Sequence, residues 1–343
     1  MISRANKGNT TRYTKLFLSF ASIVAIVMLS RIPTIHTFAA TRRSTNQFTS
    51  QLRLSQFTSD IITSTKSNTV KKIQALLSKR KKRTEAQQTV VEGPRMIFDL
   101  LKNMRTRSLV QQVVVSIDRP EWTEELVETY GSELLVCQGS AEVLTACSDT
   151  ITPQGIVATV SIPPEPSAEN IPFCNQKFPL YLVLDGVADP GNLGTLLRSS
   201  VATGVACVLL LPHCCDVWNP KAVRSAMGCS FQVPMLQVES MDHAQKVLSA
   251  WNVGEIYAAT MEDGMVSVPH YDVAWTQSPT AMVIGSEGNG LSDVVRDKVV
   301  SGEIKSVHVP MEVGIESLNA AVCGSVILFE YLRQCRTIGS PNK

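Results

Sequence analysis

The stretch that most constrains this chain is LYLVLDGVADPGNLGTLLR, from Leu180 to Arg198, in which an apolar run passes through a polar loop into a helical pattern. Leu180 to Leu184 predicts a buried strand. We expect the helix to begin at Asn192, a favourable N-cap, because leucines recur beyond it at helical spacing. Ligands in open α/β sheets bind at the carboxyl ends of strands. The unit therefore predicts that Asn192 and Arg198 face one cleft.

Two later stretches repeat this order of elements. VIGSEGNGL at Val283–Leu291 and VPMEVGIESLN at Val309–Asn319 each place Gly, Glu, Ser and Asn just after an apolar run. Helical patterns alternate with the apolar runs; one starts with Asn219 as cap and Pro220 in first position, and the last covers about Ser317 to Gln334. Such alternation predicts a parallel α/β sheet with helices on both faces. The remaining strands are expected at Val205–Leu211, Ile256–Ala259, Ala281–Ile284 and Ile304–Val309.

Four motifs follow one another in this half of the chain: Asn192-x-Gly194-x-x-x-Arg198; Asn219-Pro-Lys-x-x-Arg224-x-x-x-Gly228; Ile284-Gly-x-Glu287-Gly-x-Gly290-Leu291; and Pro310-Met311 with Glu316-Ser317-Leu318-Asn319. In order and spacing they resemble the motifs of the SpoU (TrmH-type) RNA ribose 2′-O-methyltransferases, which belong to the SPOUT class. The resemblance spans about Leu180 to Gln334. It implies a deep C-terminal trefoil knot, which nothing in the periodicity indicates, together with S-adenosylmethionine as methyl donor and a homodimer.

The resemblance also implies where the cofactor binds. In the family it lies bent in loops of the knot and is held largely by backbone groups, which glycines allow to approach closely. The matching positions are Gly285, Val309 and Leu318, with Pro310 and Met311 shaping the pocket and Gly288 and Gly290 in the same Gly-rich loop. The alternative for that loop taken alone is a plain turn.

Arg198 is the central catalytic candidate, since by resemblance it acts on the target ribose. A guanidinium is effectively always protonated, so orienting the 2′-hydroxyl and stabilising a developing oxyanion is easier for it than acting as a base. A structural Arg is the alternative. Asn192 is expected to orient Arg198 or the ribose, or only to cap its helix, and Glu287 to pair with one of the two. Ser317 and Asn319 are expected in the same cleft, although Asn319 is also suited to cap the last helix.

The segment from 66 to 161 has a different character. It contains VVEGPR at Val90–Arg95 and TPQG at Thr152–Gly155, landmarks that resemble the small α/β substrate-binding domain preceding the SpoU catalytic domain. Lys/Arg clusters neutralise RNA phosphates, and a basic run follows a predicted helix here, although a solvated helix face is the ordinary interpretation of such a run. The residues expected to contact RNA are Lys79, Arg80, Lys81, Lys82, Arg83 and Arg95, with Arg224 and Lys221 touching RNA or a dimer partner.

Residues 1–60 read as a targeting presequence. Met1 to Ser59 contains eight Lys/Arg and no Asp or Glu, and the apolar run Leu16–Leu29 suits a signal sequence better than a membrane span. The Arg/Ser/Thr/Gln-rich tract that follows gives the whole a resemblance to bipartite plastid presequences. We therefore expect plastid import and no stable membrane association after processing; a mitochondrial presequence and a membrane anchor are the alternatives.

The hydrophobic content, the charge balance and the cysteines of the chain limit these assignments. With 44% hydrophobic residues in 343, the chain can bury two cores, which excludes global disorder. Without residues 1–59, 24 basic and 30 acidic residues remain, so RNA binding requires a local basic patch. The nine cysteines show neither a disulfide framework nor a CxxC pair, which indicates a reducing compartment and no metal, even at His213-Cys214-Cys215.

The sequence thus predicts a domain of 66–161 that binds RNA, a Pro-rich linker of 162–178 and a methyltransferase domain of 179–336. Its predicted reaction is methylation of a ribose 2′-oxygen, with organellar large-subunit rRNA as the expected substrate. A tRNA ribose is one alternative, and a catalytically silent RNA-binding assembly factor is another. Glu312 and Val313 depart from the small or basic residue common in the family after Pro-Met, which is expected to affect substrate choice rather than activity.

Overall fold

The structure is a computed structural model that describes residues 61–131, 133–167, 176–261, 266–314 and 317–339. The presequence predicted over 1–60 and Glu316 of the fourth motif lie outside these ranges. Within them, no helix combines the length and apolar character that a membrane span requires.

The N-terminal domain is built on a five-stranded sheet. Its strands are β1 (Ile61–Ile62), β2 (Gln88–Glu92), β3 (Val110–Ser116), β4 (Leu135–Gly139) and β5 (Ile156–Ser161), in the order β1-β4-β3-β5-β2. The strands β1, β4 and β3 are parallel, and β5 runs antiparallel to β3 and β2. Its helices are α1 (Asn68–Ser78), α2 (Arg80–Ala86), α3 (Pro94–Lys102), α4 (Pro120–Tyr130) and α5 (Ala141–Ala146).

The first two helices show how the basic run is arranged. Ser67 caps α1 by accepting a hydrogen bond from the Val70 amide. The buried residues of α1 recur at helical spacing, namely Val70, Ile73 and Leu76. Lys79 is extended and ends α1, and the rest of the run begins the separate helix α2. The run therefore covers a short helix of its own on the domain surface.

The C-terminal domain is built on a seven-stranded, entirely parallel sheet. Its strands are β6 (Leu180–Leu184), β7 (Cys207–Leu210), β8 (Met235–Gln237), β9 (Glu255–Ala259), β10 (Ser267–Pro269), β11 (Thr280–Ile284) and β12 (Lys305–His308), in the order β10-β12-β9-β11-β6-β7-β8. Its helices are α6 (Pro190–Thr203), α7 (Pro220–Ser225), α8 (Met241–Ala250), α9 (Asp293–Val300) and α10 (Ala320–Gly339). The α/β class and the parallel sheet are confirmed; the knot stays a prediction of the resemblance.

Burial of β6 on both faces explains its apolar sequence. Leu180, Leu182 and Leu184 belong to one core cluster, and Tyr181 and Val183 belong to another. Successive side chains of a strand point to opposite faces, so both faces of the sheet are covered. The continuous apolar run is what a parallel strand under two helical layers requires.

The start of α6 differs from the prediction. The helix begins at Pro190, and Asp189 is its N-cap, whose carboxylate accepts a hydrogen bond of 2.8 Å from the Asn192 amide. The expectation that Asn192 caps the helix is wrong, because Pro190 already has the fixed φ that suits the first helical position. Asn192 lies in the first turn, and its side chain is available for contacts outside the helix.

Arg83 joins the two domains and is buried. Its guanidinium bonds one carboxylate oxygen of Asp216, at 3.1 Å from Nε and 2.6 Å from Nη2, and donates to the carbonyls of Leu76 and Leu77. The residue is 4% exposed. The expectation that Arg83 contacts RNA is wrong, because the side chain is buried and its donors are occupied by the Asp216 carboxylate and the carbonyls at the end of α1.

Replacing Arg83 with Met is expected to lower the free energy of unfolding by about 3–5 kcal/mol, because it leaves the Asp216 carboxylate without its partner. Urea denaturation followed by circular dichroism measures the change. Lys81→Met is the matched control, since its side chain is 85% exposed and its ion pair spans 3.9 Å; little change is expected there. Equal denaturation midpoints for the two variants would contradict the assignment.

Candidate active site

A cavity of about 390 Å³ opens at the carboxyl ends of β9, β11 and β12. Volumes of this order are typical of small-molecule sites. Five of the six residues predicted to bind the cofactor line it: Gly285, Gly290, Val309, Met311 and Leu318. Its other lining residues are Ala259, Thr260, Met261, Ile284, Ser286, Glu287, Gly288, Leu291, Val307, His308, Ser317, Ala320 and Cys323.

Pro310 is the predicted cofactor residue that does not line the cavity. It is exposed, whereas its neighbours Val309 and Met311 both face the cavity. That Pro310 shapes the pocket stays a prediction of the resemblance.

The Gly-rich loop forms a closed turn over the cavity. Ser286 and Gly290 pair through two backbone hydrogen bonds of 2.8 and 3.0 Å, and the Ser286 hydroxyl accepts a third from the Asn289 amide. Gly290 has a φ of +64°, which favours glycine. A Cβ on Gly285 would lie 2.5 Å from the Gly290 carbonyl carbon and 2.7 Å from the Leu291 amide. The two glycines thus permit a tight backbone turn at the cavity wall.

Three polar side chains, one each from the first turn of α6, the Gly-rich loop and the residue before α10, are joined by hydrogen bonds beside this turn. Asn192 Nδ2 donates to Glu287 Oε2 at 2.6 Å, and Asn319 Nδ2 donates to Asn192 Oδ1 at 2.9 Å. Asn319 Oδ1 in turn accepts from the Ala321 and Val322 amides at the start of α10. Asn319 therefore both caps the last helix and orients Asn192, and Glu287 takes Asn192 as its partner. Each member fixes the orientation of the next.

Arg198 lies on the same helix as Asn192, six residues later. Six residues place it about 9 Å further along the axis and about a third of a turn around it. The side chain is exposed and is not part of the cavity lining. Within the described residues its guanidinium makes no hydrogen bond or ion pair; burial raises the pKa of the nearby Cys229 thiol, and the positive charge of Arg198 opposes that rise. Its donors thus remain available to a molecule outside the chain.

Ser317 lies at the cavity as predicted, whereas the basic residues predicted to bind RNA lie elsewhere. Ser317 is exposed and lines the cavity. Arg224 instead forms an ion pair of 2.7 Å with Asp149 of the N-terminal domain. The exposed basic side chains expected to meet RNA are Lys79, Arg80, Lys81, Lys82 and Arg95.

Two residues of the site were not predicted from the sequence. His308 is half-buried in the cavity wall, where its Nδ1 lies 3.0 Å from the Ser267 hydroxyl. Asp185 is 5% exposed and accepts a hydrogen bond of 2.7 Å from the Ser292 amide, which anchors the chain just after the Gly-rich loop. The feature that could have identified both residues in the sequence is their position: Asp185 directly follows β6 and His308 ends β12, at the edge of the sheet where the loops meet.

The reactivity of the Cys323 thiol at the cavity is expected to depend steeply on pH. Burial raises the pKa of this thiol to about 11, so it stays protonated at neutral pH. Since the thiolate is the nucleophile, we expect alkylation of Cys323 by iodoacetamide to rise about 100-fold between pH 7.5 and 9.5, against about 10-fold for a free thiol of ordinary pKa. Peptide mass spectrometry measures the rate. A ligand that fills the cavity should slow alkylation at both pH values, and a 10-fold rise would contradict the burial of the thiol.

Two family models match this chain, one in each domain. Residues 179–329 match the model of the SpoU rRNA Methylase family, and residues 67–158 match that of the MRM3-like substrate binding domain. Among curated proteins, the mitochondrial rRNA methyltransferase 3A of Danio rerio is 30% identical over 306 residues, covering 78% of this chain and 68% of that protein. The 23S rRNA (uridine(2479)-2′-O)-methyltransferase of Streptomyces viridochromogenes is 31% identical over 266 residues, covering 76% and 88%.

A solved structure shows the same architecture with a cofactor bound. The SpoU methyltransferase AviRb from Streptomyces viridochromogenes, in complex with AdoMet, aligns with a TM-score of 0.66 and 27% identity. The alignment covers 80% of this chain and all of that one. The fold of this neighbour and its bound AdoMet therefore agree with the fold and the cofactor that the motifs predict for this chain.

Proposed function

The chain belongs to the SpoU rRNA methylase family and is an S-adenosylmethionine-dependent methyltransferase, and from this we propose that it methylates a ribose 2′-oxygen of organellar large-subunit rRNA. The observation that carries the proposal is the set of hydrogen bonds that joins Glu287, Asn192 and Asn319 at the cavity edge, in which Asn192 lies on the helix that also presents Arg198. Support for the substrate comes from relatives that are named as mitochondrial rRNA methyltransferases and as 2′-O-methyltransferases of 23S rRNA.

The cavity fits the cofactor in size and in the kind of groups it presents. Gly285 and Gly290 line the cavity without side chains, so an occupant can approach their backbone closely, and Val309, Met311 and Leu318 supply apolar wall. The described lining residues include the Glu287 carboxylate, which suits a cationic ligand. S-adenosylmethionine, when bound there, supplies an electrophilic methyl group. The residues of this chain then need only align the acceptor hydroxyl and exclude competing geometries.

Arg198 orients the acceptor and stabilises its charge in this mechanism. Its guanidinium stays protonated, so a ribose 2′-hydroxyl beside it loses its proton more readily and the developing oxyanion gains a hydrogen-bond donor. Asn192 holds a fixed amide orientation because Glu287 and Asn319 engage both ends of its side chain. Its second N–H and the remaining lone pair of Oδ1 can therefore meet the ribose in one geometry.

The N-terminal domain holds the RNA in this proposal. Four residues of the basic run are exposed together, at Lys79, Arg80, Lys81 and Lys82, and Arg95 is exposed at the start of α3. Phosphate contacts position a nucleic acid without reading its bases. The nucleotide that reacts is then the one that the RNA shape brings to Arg198.

The proposed enzyme is a homodimer that meets its partner along α10. Val322, Val326 and Phe329 are 49%, 37% and 50% exposed. Their spacing of four and three residues places them on one face of the helix. A second copy of the chain would bury this face. Sedimentation equilibrium tests it, and a monomer at micromolar concentration would exclude the dimer.

The compartment is proposed to be an organelle. The acid-free composition of residues 1–59 favours a plastid presequence, whereas the relatives are named as mitochondrial. Fusing residues 1–60 to a fluorescent protein and imaging its import decides between the two organelles. Cytosolic fluorescence would contradict both.

Transfer of tritiated methyl groups tests the proposed function. Unmodified organellar large-subunit rRNA and bulk tRNA are each incubated with the protein and labelled S-adenosylmethionine, and the labelled nucleotide is then mapped. We expect label on a ribose 2′-oxygen of the rRNA. Label on tRNA alone would replace the rRNA proposal with the tRNA alternative. RNA binding without any transfer would favour the silent assembly factor.

A further inference from the structure

The N-terminal domain contacts the catalytic domain along α7 and the loop before it. Besides the buried pair Arg83–Asp216, the Thr89 hydroxyl donates to the Trp218 carbonyl at 2.7 Å. Val223 of α7 is 1% exposed and belongs to the core cluster of the N-terminal domain. The domain that holds RNA in the proposal thus packs against α7 and the residues on either side of it.

Arg224, in the last turn of α7, extends this contact to a loop of the N-terminal domain. Its Nη1 lies 2.7 Å from Asp149 Oδ1, and the two side chains are 33% and 30% exposed. A pair this open contributes little to folding stability. The pair does fix the distance between the Asp149 loop and α7, because each of its two side chains is attached to a rigid part of the backbone.

The loop that carries Asp149 is made rigid by a buried carboxylate. Glu92 is 7% exposed. It accepts hydrogen bonds from the Ser148 hydroxyl at 2.8 Å, the Thr150 hydroxyl at 3.0 Å and the Gln154 amide at 3.3 Å. Since the residues on both sides of Asp149 are held, the carboxylate of Asp149 has a fixed place above α7.

The other side of α7 packs directly on the catalytic helix α6. A Cβ on Gly194 would lie 2.5 Å from Ser225 Cβ and 2.7 Å from the Ala222 carbonyl oxygen, so the two helices are in backbone contact. The Ser225 hydroxyl also donates to the Gly191 carbonyl at 3.0 Å. Gly191 precedes Asn192, so a displacement of α7 reaches the hydrogen-bonded chain of the active site.

We propose that Arg224 is a positioning residue: paired with Asp149, it sets the register between the RNA held by the N-terminal domain and the reacting ribose at Asn192 and Arg198. The proposal rests on the proposed function. It replaces the sequence-based expectation that Arg224 binds an RNA phosphate or a dimer partner. Loosening the pair lets the RNA dock with its usual affinity but in the wrong place relative to α6, which lowers the rate on the target and spreads methylation to neighbouring nucleotides.

Four variants test the proposal against the phosphate-binding alternative: Arg224→Gln, Asp149→Asn, both together, and the charge-swapped pair Asp149→Arg with Arg224→Asp. Asp242→Asn is the matched control, because it removes an exposed ion pair of 2.8 Å with Lys298 inside the catalytic domain. The measurements are the single-turnover rate on the mapped nucleotide, the share of label on its neighbours, RNA affinity by filter binding, and amide hydrogen exchange of α6 and α7.

We expect each single variant to lower the single-turnover rate about tenfold while RNA affinity changes less than twofold. The double variant should be no slower than either single one, because both remove the same pair. The charge swap should restore the rate to within about threefold. Amide exchange in α6 and α7 should rise about fivefold in the single variants and stay unchanged in Asp242→Asn.

Other results overturn the proposal. If Arg224→Gln weakens RNA binding and lowers its salt dependence while Asp149→Asn does neither, Arg224 is a phosphate ligand. A wild-type rate in Asp149→Asn would show that the pair does not set the register between the bound RNA and the active site. If the unaltered protein transfers no methyl group, the proposed function fails, and hydrogen exchange still decides whether Asp149 and Arg224 hold α7 against α6.

Discussion

Replacing Arg198 with Ala is expected to lower the rate of methyl transfer by about 10³-fold, since losing one donor to a developing oxyanion costs about 10²–10³ and the orientation of the hydroxyl is lost as well. Binding of S-adenosylmethionine should stay unchanged, because Arg198 does not line the cavity. Folding should be unaffected too, because the side chain is exposed. Single-turnover transfer and calorimetric cofactor binding measure the two effects.

Two further variants separate this role from others. Arg198→Lys keeps the charge but not the planar fork of donors, and it should recover only part of the rate. Thr195→Ala changes an exposed residue of the same helix whose hydroxyl bonds the Gly191 carbonyl, and it should transfer at close to the normal rate. A rate within threefold of normal for Arg198→Ala would remove Arg198 from the mechanism. A bell-shaped pH profile lost in that variant would instead favour a literal base.

Replacing Gly285 with Ala is expected to weaken S-adenosylmethionine binding about 100-fold. The added Cβ meets backbone atoms of Gly290 and Leu291, which cannot rotate away as a side chain would. Overpacking of this kind costs about 1–3 kcal/mol, and each 1.4 kcal/mol corresponds to a tenfold change in affinity. The cost falls on the turn Ser286–Gly290, which forms part of the cavity wall.

Gly288→Ala is the control for this result, since it lies in the same turn and a Cβ there meets no atom within 4 Å. It should bind the cofactor with nearly normal affinity. RNA affinity should be unchanged in both variants, because the exposed basic run lies in the other domain. Equal cofactor affinity for the two variants would show that the loop tolerates displacement and that the turn does not shape the site.

Local patterns predicted most of the elements because their causes are local. The five apolar residues of β6 are buried on both faces of the sheet, and the strands β9, β11 and β12 lie where apolar runs indicated them. Asn219 and Pro220 start α7 as expected, with the Asn219 side chain accepting from the Lys221 amide. The start of α6 was misplaced because Asp189-Pro190 is a stronger helix start than Asn192, although both are allowed by the same capping chemistry.

The sequence alone determined the fold class and most of the strands and helices, because strand burial and helix caps depend on neighbours in the chain. The cofactor loops and the site residues were predicted from the resemblance of its motifs to the family. Only the tertiary structure decided which side chains meet. Asn192 bonds Glu287 and Asn319 across 95 and 127 residues. Arg83 and Arg224 bond carboxylates 133 and 75 residues away. No periodicity encodes such distances, so the sequence could not show that Arg83 is paired with Asp216 or that Arg224 forms an ion pair with Asp149 of the other domain.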